Sequence, residues 1–209
     1  MSNLPKGLDY TIIKTGSSGN AVLVNGILFD CGISWKMLEP YATQVDVVLT
    51  SHRHQDHIRH STLNKLKSLF PRVAIIAPKD FYKGTDKAQY EFDAILPHNK
   101  KLLIKGKYEV LCTPIPHSVP NVAFVVKFQS GKTVMYATDT VSLDHLHIPD
   151  LDLYLLESNY SELSIVKDQR NAMIAVTTHL SQEASFGWYL RNKGENSEYV
   201  PLHAHMDFK

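Results

Sequence analysis

The sequence predicts an α/β protein of the α+β kind, in a pattern that suits two sheets packed face to face with helices outside without choosing that over other α/β layers. Two observations lead there. Apolar runs of strand length come in series, with a few segments of helical spacing set between them. The bulk composition agrees: 209 residues and 23.6 kDa, 44% apolar and 21% charged, enough for the core of one ordinary domain. A single domain over 1–209 is therefore expected.

From the N-terminus, Asp9 to Lys14 reads as a strand. Gly16-Ser17-Ser18-Gly19-Asn20 is a turn whose glycines are free to take positive φ. Ala21–Val24 and Ile27–Asp30 flank Asn25-Gly26, a strong two-residue hairpin signal. Ser34 caps a short helix ending near Pro40. Val45–Leu49 is a strand, and Ser61–Leu69 has helical spacing with Ser61 as its cap. Val73–Ala77 is a buried strand, and 80–100 reads as irregular and polar. Tyr108–Thr113, Ala123–Phe128 and Thr133–Tyr136 are strands, the last two joined by the turn Gln129-Ser130-Gly131-Lys132. Leu151–Leu156 is a buried strand, Ser181–Leu190 a helix with Glu183 and Ala184 in its first turn, and Tyr199–Leu202 a short final strand.

Charge narrows the function classes. The formal net charge is +1, which argues against a groove gripping long nucleic acid, where phosphate contacts supply much of the binding. Two cysteines, Cys31 and Cys112, do not make a disulfide framework and read as small buried thiols. Residues 1–8 are polar with Pro5 and Gly7, so no signal peptide is expected. No apolar run nears the ~18 residues that span a bilayer, and a cytoplasmic protein with no membrane partner is expected.

The chemistry concentrates in Ser51-His52-Arg53-His54-Gln55-Asp56-His57, directly after the strand Val45–Leu49. Three imidazoles and a carboxylate are a dense set of metal-binding groups. In an extended segment His52 and His54 point the same way, since side chains alternate, and such a pair grips one ion. Asp56 and His57 come after the strand, where a turn folds them toward a second. Structural zinc sites are closed by four ligands and lean on Cys, so this set suits a water-activating hydrolase better. Three further segments set ligand-type residues after strands: His117 after Tyr108–Thr113, Asp139 after Thr133–Tyr136, and Leu202-His203-Ala204-His205-Met206-Asp207 near the end.

The string H-x-H-x-D-H after a strand resembles the signature of the metallo-β-lactamase-fold hydrolases. The resemblance covers about Tyr10 to Asp207 and implies a four-layer αββα sandwich. It implies that His52, His54 and His117 hold one metal ion, that Asp56 and His57 hold the second, and that Asp139 bridges them. The final ligand is open between His203 and His205; His205 is preferred, because His-Met-Asp is similar to the family's His-Leu-Ser. One departure stands out: many members have glycine where this chain has His60.

Two segments narrow the branch. Thr15-Gly16-Ser17-Ser18-Gly19-Asn20 resembles a loop of the branch containing ribonuclease Z, small bacterial exonucleases and anti-Pycsar cyclic-nucleotide phosphodiesterases. Glu157 after a strand, then His179 at a helix start, recurs there too. The resemblance implies a dinuclear phosphodiesterase acting on a nucleotide-type substrate. Asp56 would orient the nucleophile, His179 would donate a proton to the leaving oxygen, and Glu157 would orient His179. No insertion like ribonuclease Z's tRNA-gripping arm is visible, which favours cyclic mononucleotides over a 5′-directed nuclease. A thioester or lactam hydrolase on the same fold is a further alternative, and a non-catalytic metal-binding protein a third. The cofactors expected are two divalent ions, zinc first and manganese second. The resemblance also implies a homodimer with a partner loop near each site.

Overall fold

The computed structural model describes residues 7–85, 90–161 and 176–203. The chain divides into two units, Leu8–His98 and a second made of Met1–Gly7 with Asn99–Lys209. Among the described residues each unit carries one six-stranded sheet.

In the first unit the sheet order is β1 (Tyr10–Lys14), β2 (Ala21–Val24), β3 (Ile27–Phe29), β4 (Val47–Leu49), β5 (Ala74–Pro78), β6 (Ala94–Leu96). Asn25 and Gly26 both take positive φ, +42° and +89°, the turn that matches strand twist in a two-residue hairpin. From β3 onward the strands run parallel, so the segments leaving β3 and β4 emerge at one edge of the sheet. That edge is where an open sheet places its ligand-binding loops. Helices α1 (Trp35–Leu38) and α2 (His60–Leu69) return the chain between parallel strands. Leu38, Leu63 and Leu66 pack with Leu28, Val48 and Ile75 in the unit's core.

In the second unit the order is β12 (Glu198–Leu202), β11 (Leu153–Glu157), β10 (Thr133–Ala137), β9 (Asn121–Phe128), β8 (Tyr108–Ile115), β7 (Leu102–Ile104). β10, β11 and β12 are mutually parallel. β9 runs antiparallel to both of its neighbours, so β8 shares their direction. His117, Asp139, Glu157 and His203 therefore lie at the same edge, each at the end of its strand. Helix α3 (Gln182–Asn192) buries Ser185, Trp188, Tyr189 and Asn192, the i, i+3, i+4, i+7 stripe of an amphipathic helix. Trp188 and Tyr189 meet Tyr154 of β11 edge to face.

Several expectations need correction. The first helix does end near Pro40, at Leu38, but the chain continues in a 3-10 segment, Glu39–Gln44, with Pro40 in its first turn, where a missing N–H costs nothing. Ser61 is not a cap. The cap position of α2 is Arg59, whose backbone N–H is tied to the Cys31 carbonyl at 2.8 Å, so the preceding loop sets where the helix starts. The stretch 80–100 contains β6. Ser181 does cap α3, accepting from the Ala184 N–H at 3.0 Å. No helix among the described residues is long and apolar enough to cross a membrane.

Candidate metal centre

In the first unit, β4 ends at Leu49, so His52 and His54 are not strand residues. They converge through a turn instead. The His57 and Ile58 N–H groups both donate to the His54 carbonyl, at 2.9 and 3.0 Å. His52 Nε2 and His54 Nδ1 come within 3.1 Å. Two nitrogens at about 2.0–2.1 Å from a tetrahedral ion are roughly 3.3 Å apart, so this pair fits a shared cation.

Behind the histidines lies Asp30, a residue that no sequence motif singles out. It directly succeeds β3, is fully buried and takes a φ of +58°, a region Asp tolerates better than most residues. Its carboxylate accepts from Ser51 N–H at 2.7 Å, Ser51 Oγ at 2.9 Å and His57 Nδ1 at 2.7 Å. Ser51 Oγ also meets His52 Nδ1 at 3.0 Å. Its one proton goes to Asp30, so the His52 Nδ1–H donates to Ser51. Both His52 and His57 then carry their lone pair on Nε2, the outward nitrogen. This is how a carboxylate behind an imidazole orients a metal ligand.

The T-G-S-S-G-N loop braces the same motif. Asn20 N–H donates to the Asp56 carbonyl at 2.6 Å, and its amide nitrogen lies 2.9 Å from His57 Nε2 and 3.4 Å from Asp56 Oδ2. Gly32 closes the stack. A Cβ there would lie 1.7 Å from the Asp56 carbonyl oxygen.

In the second unit the site gathers at the strand ends. Asp139 (φ +54°) and His203 (φ +58°) both occupy the left-handed region, and such strain collects at functional sites. His117 Nε2 lies 3.8 Å from Asp139 Oδ2, and His203 Nδ1 lies 3.5 Å from Asp139 Oδ1. Asn121, at the start of β9, donates to the carbonyls of Thr138 and Asp139, both at 2.8 Å, which fixes the Asp139 turn. Asn159 donates to the His203 carbonyl at 3.0 Å.

Glu157 is fully buried and works as a bracket. Oε2 accepts from Thr140 N–H at 2.6 Å and Leu180 N–H at 3.4 Å. Oε1 meets His179 Nδ1 at 2.6 Å and His203 Nδ1 at 3.1 Å. Glu157 therefore ties His179 and His203 to the backbone at Thr140 and Leu180. The anion beside Leu180, just before α3, is this carboxylate. Asp139, Glu157, His179 and His203 offer ligand atoms all within 4.8 Å of one another. Carboxylates buried this deeply require cationic company, which a divalent ion would supply. His203 thus occupies the cluster; His205 lies outside the described residues.

Residues 25–204 match the family described as a β-lactamase superfamily domain. Among solved structures, the metallo-β-lactamase fold protein YhfI from Bacillus subtilis is 20% identical over 94% of this chain and 86% of that one, with a TM-score of 0.73. The short form of human tRNase Z is 16% identical over 93% and 92%, with a TM-score of 0.62. The Zn²⁺-bound PqqB of Methylobacterium extorquens is 11% identical over 93% and 88%, with a TM-score of 0.61. At such identities the likeness is one of fold. No curated protein matches the sequence.

Proposed function

This chain belongs to the β-lactamase superfamily, in its metallo-β-lactamase fold, and from that premise we propose that it is a metal-dependent phosphodiesterase of nucleotides. The observation that carries the reading is the 2.6 Å contact between His179 Nδ1 and Glu157. It fixes a proton-carrying imidazole beside Asp139 and His203, at the edge where ligands gather. A thioester's thiolate leaves without such a group, whereas expulsion of an alkoxide from phosphorus gains from one.

The ligands we assign are His52, His54, Asp56 and His57 from the first unit and His117, Asp139 and His203 from the second, holding two divalent ions. Mixed imidazole and carboxylate donors suit zinc, with manganese as the alternative. Bound ions would lower the pKa of a water and neutralise charge on the phosphate oxygens. The chain's own residues do the rest. Glu157 holds His179 by Nδ1, leaving Nε2 to deliver a proton to the leaving oxygen. Asp56, steered by the Asn20 amide, orients the attacking water. Asp30 and Ser51 keep His52 and His57 in the ligating tautomer.

Cyclic mononucleotides are the preferred substrates, because the net charge of +1 supplies little pull on long nucleic acid. A 5′-directed nuclease is the second reading; the same His179–Glu157 pair would serve it, and human tRNase Z shares the fold. Turnover of bis-(p-nitrophenyl) phosphate, 3′,5′-cyclic nucleotides and labelled DNA and RNA, with Zn²⁺ or Mn²⁺ added, tests both. His179→Ala should cost about 10²–10⁴-fold in kcat on the preferred diester. Inactivity on every phosphodiester, with turnover of a glutathione thioester or nitrocefin, would overturn the assignment.

A further inference from the structure

We infer that the pocket next to Asp56 in the first unit receives one nucleoside phosphate, with its base against an aromatic wall and its phosphate against arginine. For its catalytic consequence this rests on the phosphodiesterase reading; as a binding site it stands alone. The pocket has a volume of about 600 Å³, and Arg53, Asp56, Arg59, His60, Phe81 and Tyr82 line it. Small-molecule sites occupy about 300–1,000 Å³, so one nucleotide fits.

Charge gives the first half of the ligand. Two guanidinium groups line the pocket with one carboxylate, and that carboxylate is assigned to metal. Arg53 is held in place by its own Nη1, which donates to the Lys83 carbonyl at 2.6 Å. Arg59 is exposed, and no hydrogen bond or ion pair engages its side chain among the described residues. One fixed and one available guanidinium at a pocket wall suit a phosphate, which arginine grips with paired N–H groups.

The rings give the second half. Tyr82 is half-buried and packs against Phe81 and Phe92 at 4.9 and 5.9 Å between ring centroids. Its hydroxyl accepts from the Tyr90 N–H. The His60 ring rests on Tyr90 at 5.4 Å. These rings are held before any ligand arrives. A fixed aromatic wall beside an arginine recognises a base attached to a phosphate. His60 stands where many members of the family have glycine, so this chain adds a ring to the pocket.

Calorimetric titration of the zinc-loaded protein with 5′-AMP and with inorganic phosphate tests the site. AMP should bind at least tenfold more tightly than phosphate. Arg59→Ala and Tyr82→Leu should each weaken AMP about tenfold, while Tyr82→Leu leaves phosphate affinity within twofold. Tyr82→Phe keeps the ring while losing the acceptor for the Tyr90 N–H, so it should retain most of the AMP affinity, and the unchanged phosphate affinity shows that the leucine variant is folded. In turnover, Arg59→Ala should lower the ratio of kcat/KM for a cyclic nucleotide to that for bis-(p-nitrophenyl) phosphate about tenfold. AMP binding no tighter than phosphate, or unaffected by both variants, overturns the pocket assignment. AMP binding that responds as described, in a protein that hydrolyses no diester, upholds the pocket and overturns the phosphodiesterase reading.

Discussion

At the scale of single residues, Asp30 is the clearest test of how the site is held. It binds the assigned ligand His57 from behind and also collects the Ser51 hydroxyl and N–H. Asp30→Asn keeps the shape and removes the anion, so metal affinity should fall about 10–100-fold, the usual cost of losing a carboxylate behind a ligating histidine. Competition with a chelating dye measures it. Asp30→Ala should in addition destabilise the protein by about 1–3 kcal/mol, because the buried Ser51 N–H loses its acceptor, as denaturant unfolding would show. Unchanged metal affinity in Asp30→Asn would mean that Ser51 alone sets the tautomers. Asp30 was not legible in the sequence. An aspartate closing the expected strand Ile27–Asp30 carries no local sign of a role, and its partner lies 27 positions away. The 52–57 string was legible as a candidate because its metal-binding side chains are adjacent. His117 and Asp139 were legible because each comes just after an apolar run.

At the scale of elements, the support for the metal loop is backbone against backbone. The Asn20 carbonyl accepts from Gly32 N–H at 3.0 Å, and Cys31 N–H donates to the His57 carbonyl at 2.9 Å. A Cβ on Gly19 would lie 2.8 Å from the Gly32 oxygen. Gly32→Ala should therefore push the Asp56 peptide away, costing about 1–3 kcal/mol for overpacking and much of the bound metal. Gly106→Ala is the control. Its φ of +66° makes it strained, but nothing lies within 4 Å of the added carbon, so it should cost about 1 kcal/mol and leave metal content intact. Equal metal retention in the two variants would show that the loop tolerates displacement. The glycines were visible in the sequence as turn formers; that Gly32 is a contact surface was not, because close approach between distant strand ends leaves no local pattern. The short strands β6 and β7 escaped for a similar reason. Each is three residues long, too few to show a period.

At the scale of the whole molecule, burial and metal binding have consequences that need no active-site assay. Burial pushes the Cys31 thiol up to about 12 and Cys112 up to about 11. Neither should react with a disulfide reagent at about pH 8 in the folded protein, below both raised values and near the ordinary thiol range. Two thiols per chain should appear on unfolding; rapid native labelling would show that one of these cores opens. The assigned ligands come from segments spread from His52 to His203, so unfolding would separate them and metal should bind the folded chain preferentially. Such binding stabilises by about 2.7 kcal/mol when free metal is about 100 times its Kd. For a chain of this length each kcal/mol shifts Tm by roughly 2–4 °C, so adding Zn²⁺ to chelator-stripped protein should raise Tm by about 5–10 °C. Asp139→Ala should remove most of that rise, while its Tm in chelator should move much less, since little metal-linked stability remains there to lose. A wild-type Tm indifferent to Zn²⁺ and Mn²⁺ would mean that this donor set does not hold a divalent ion, and the hydrolytic assignment would fall with it.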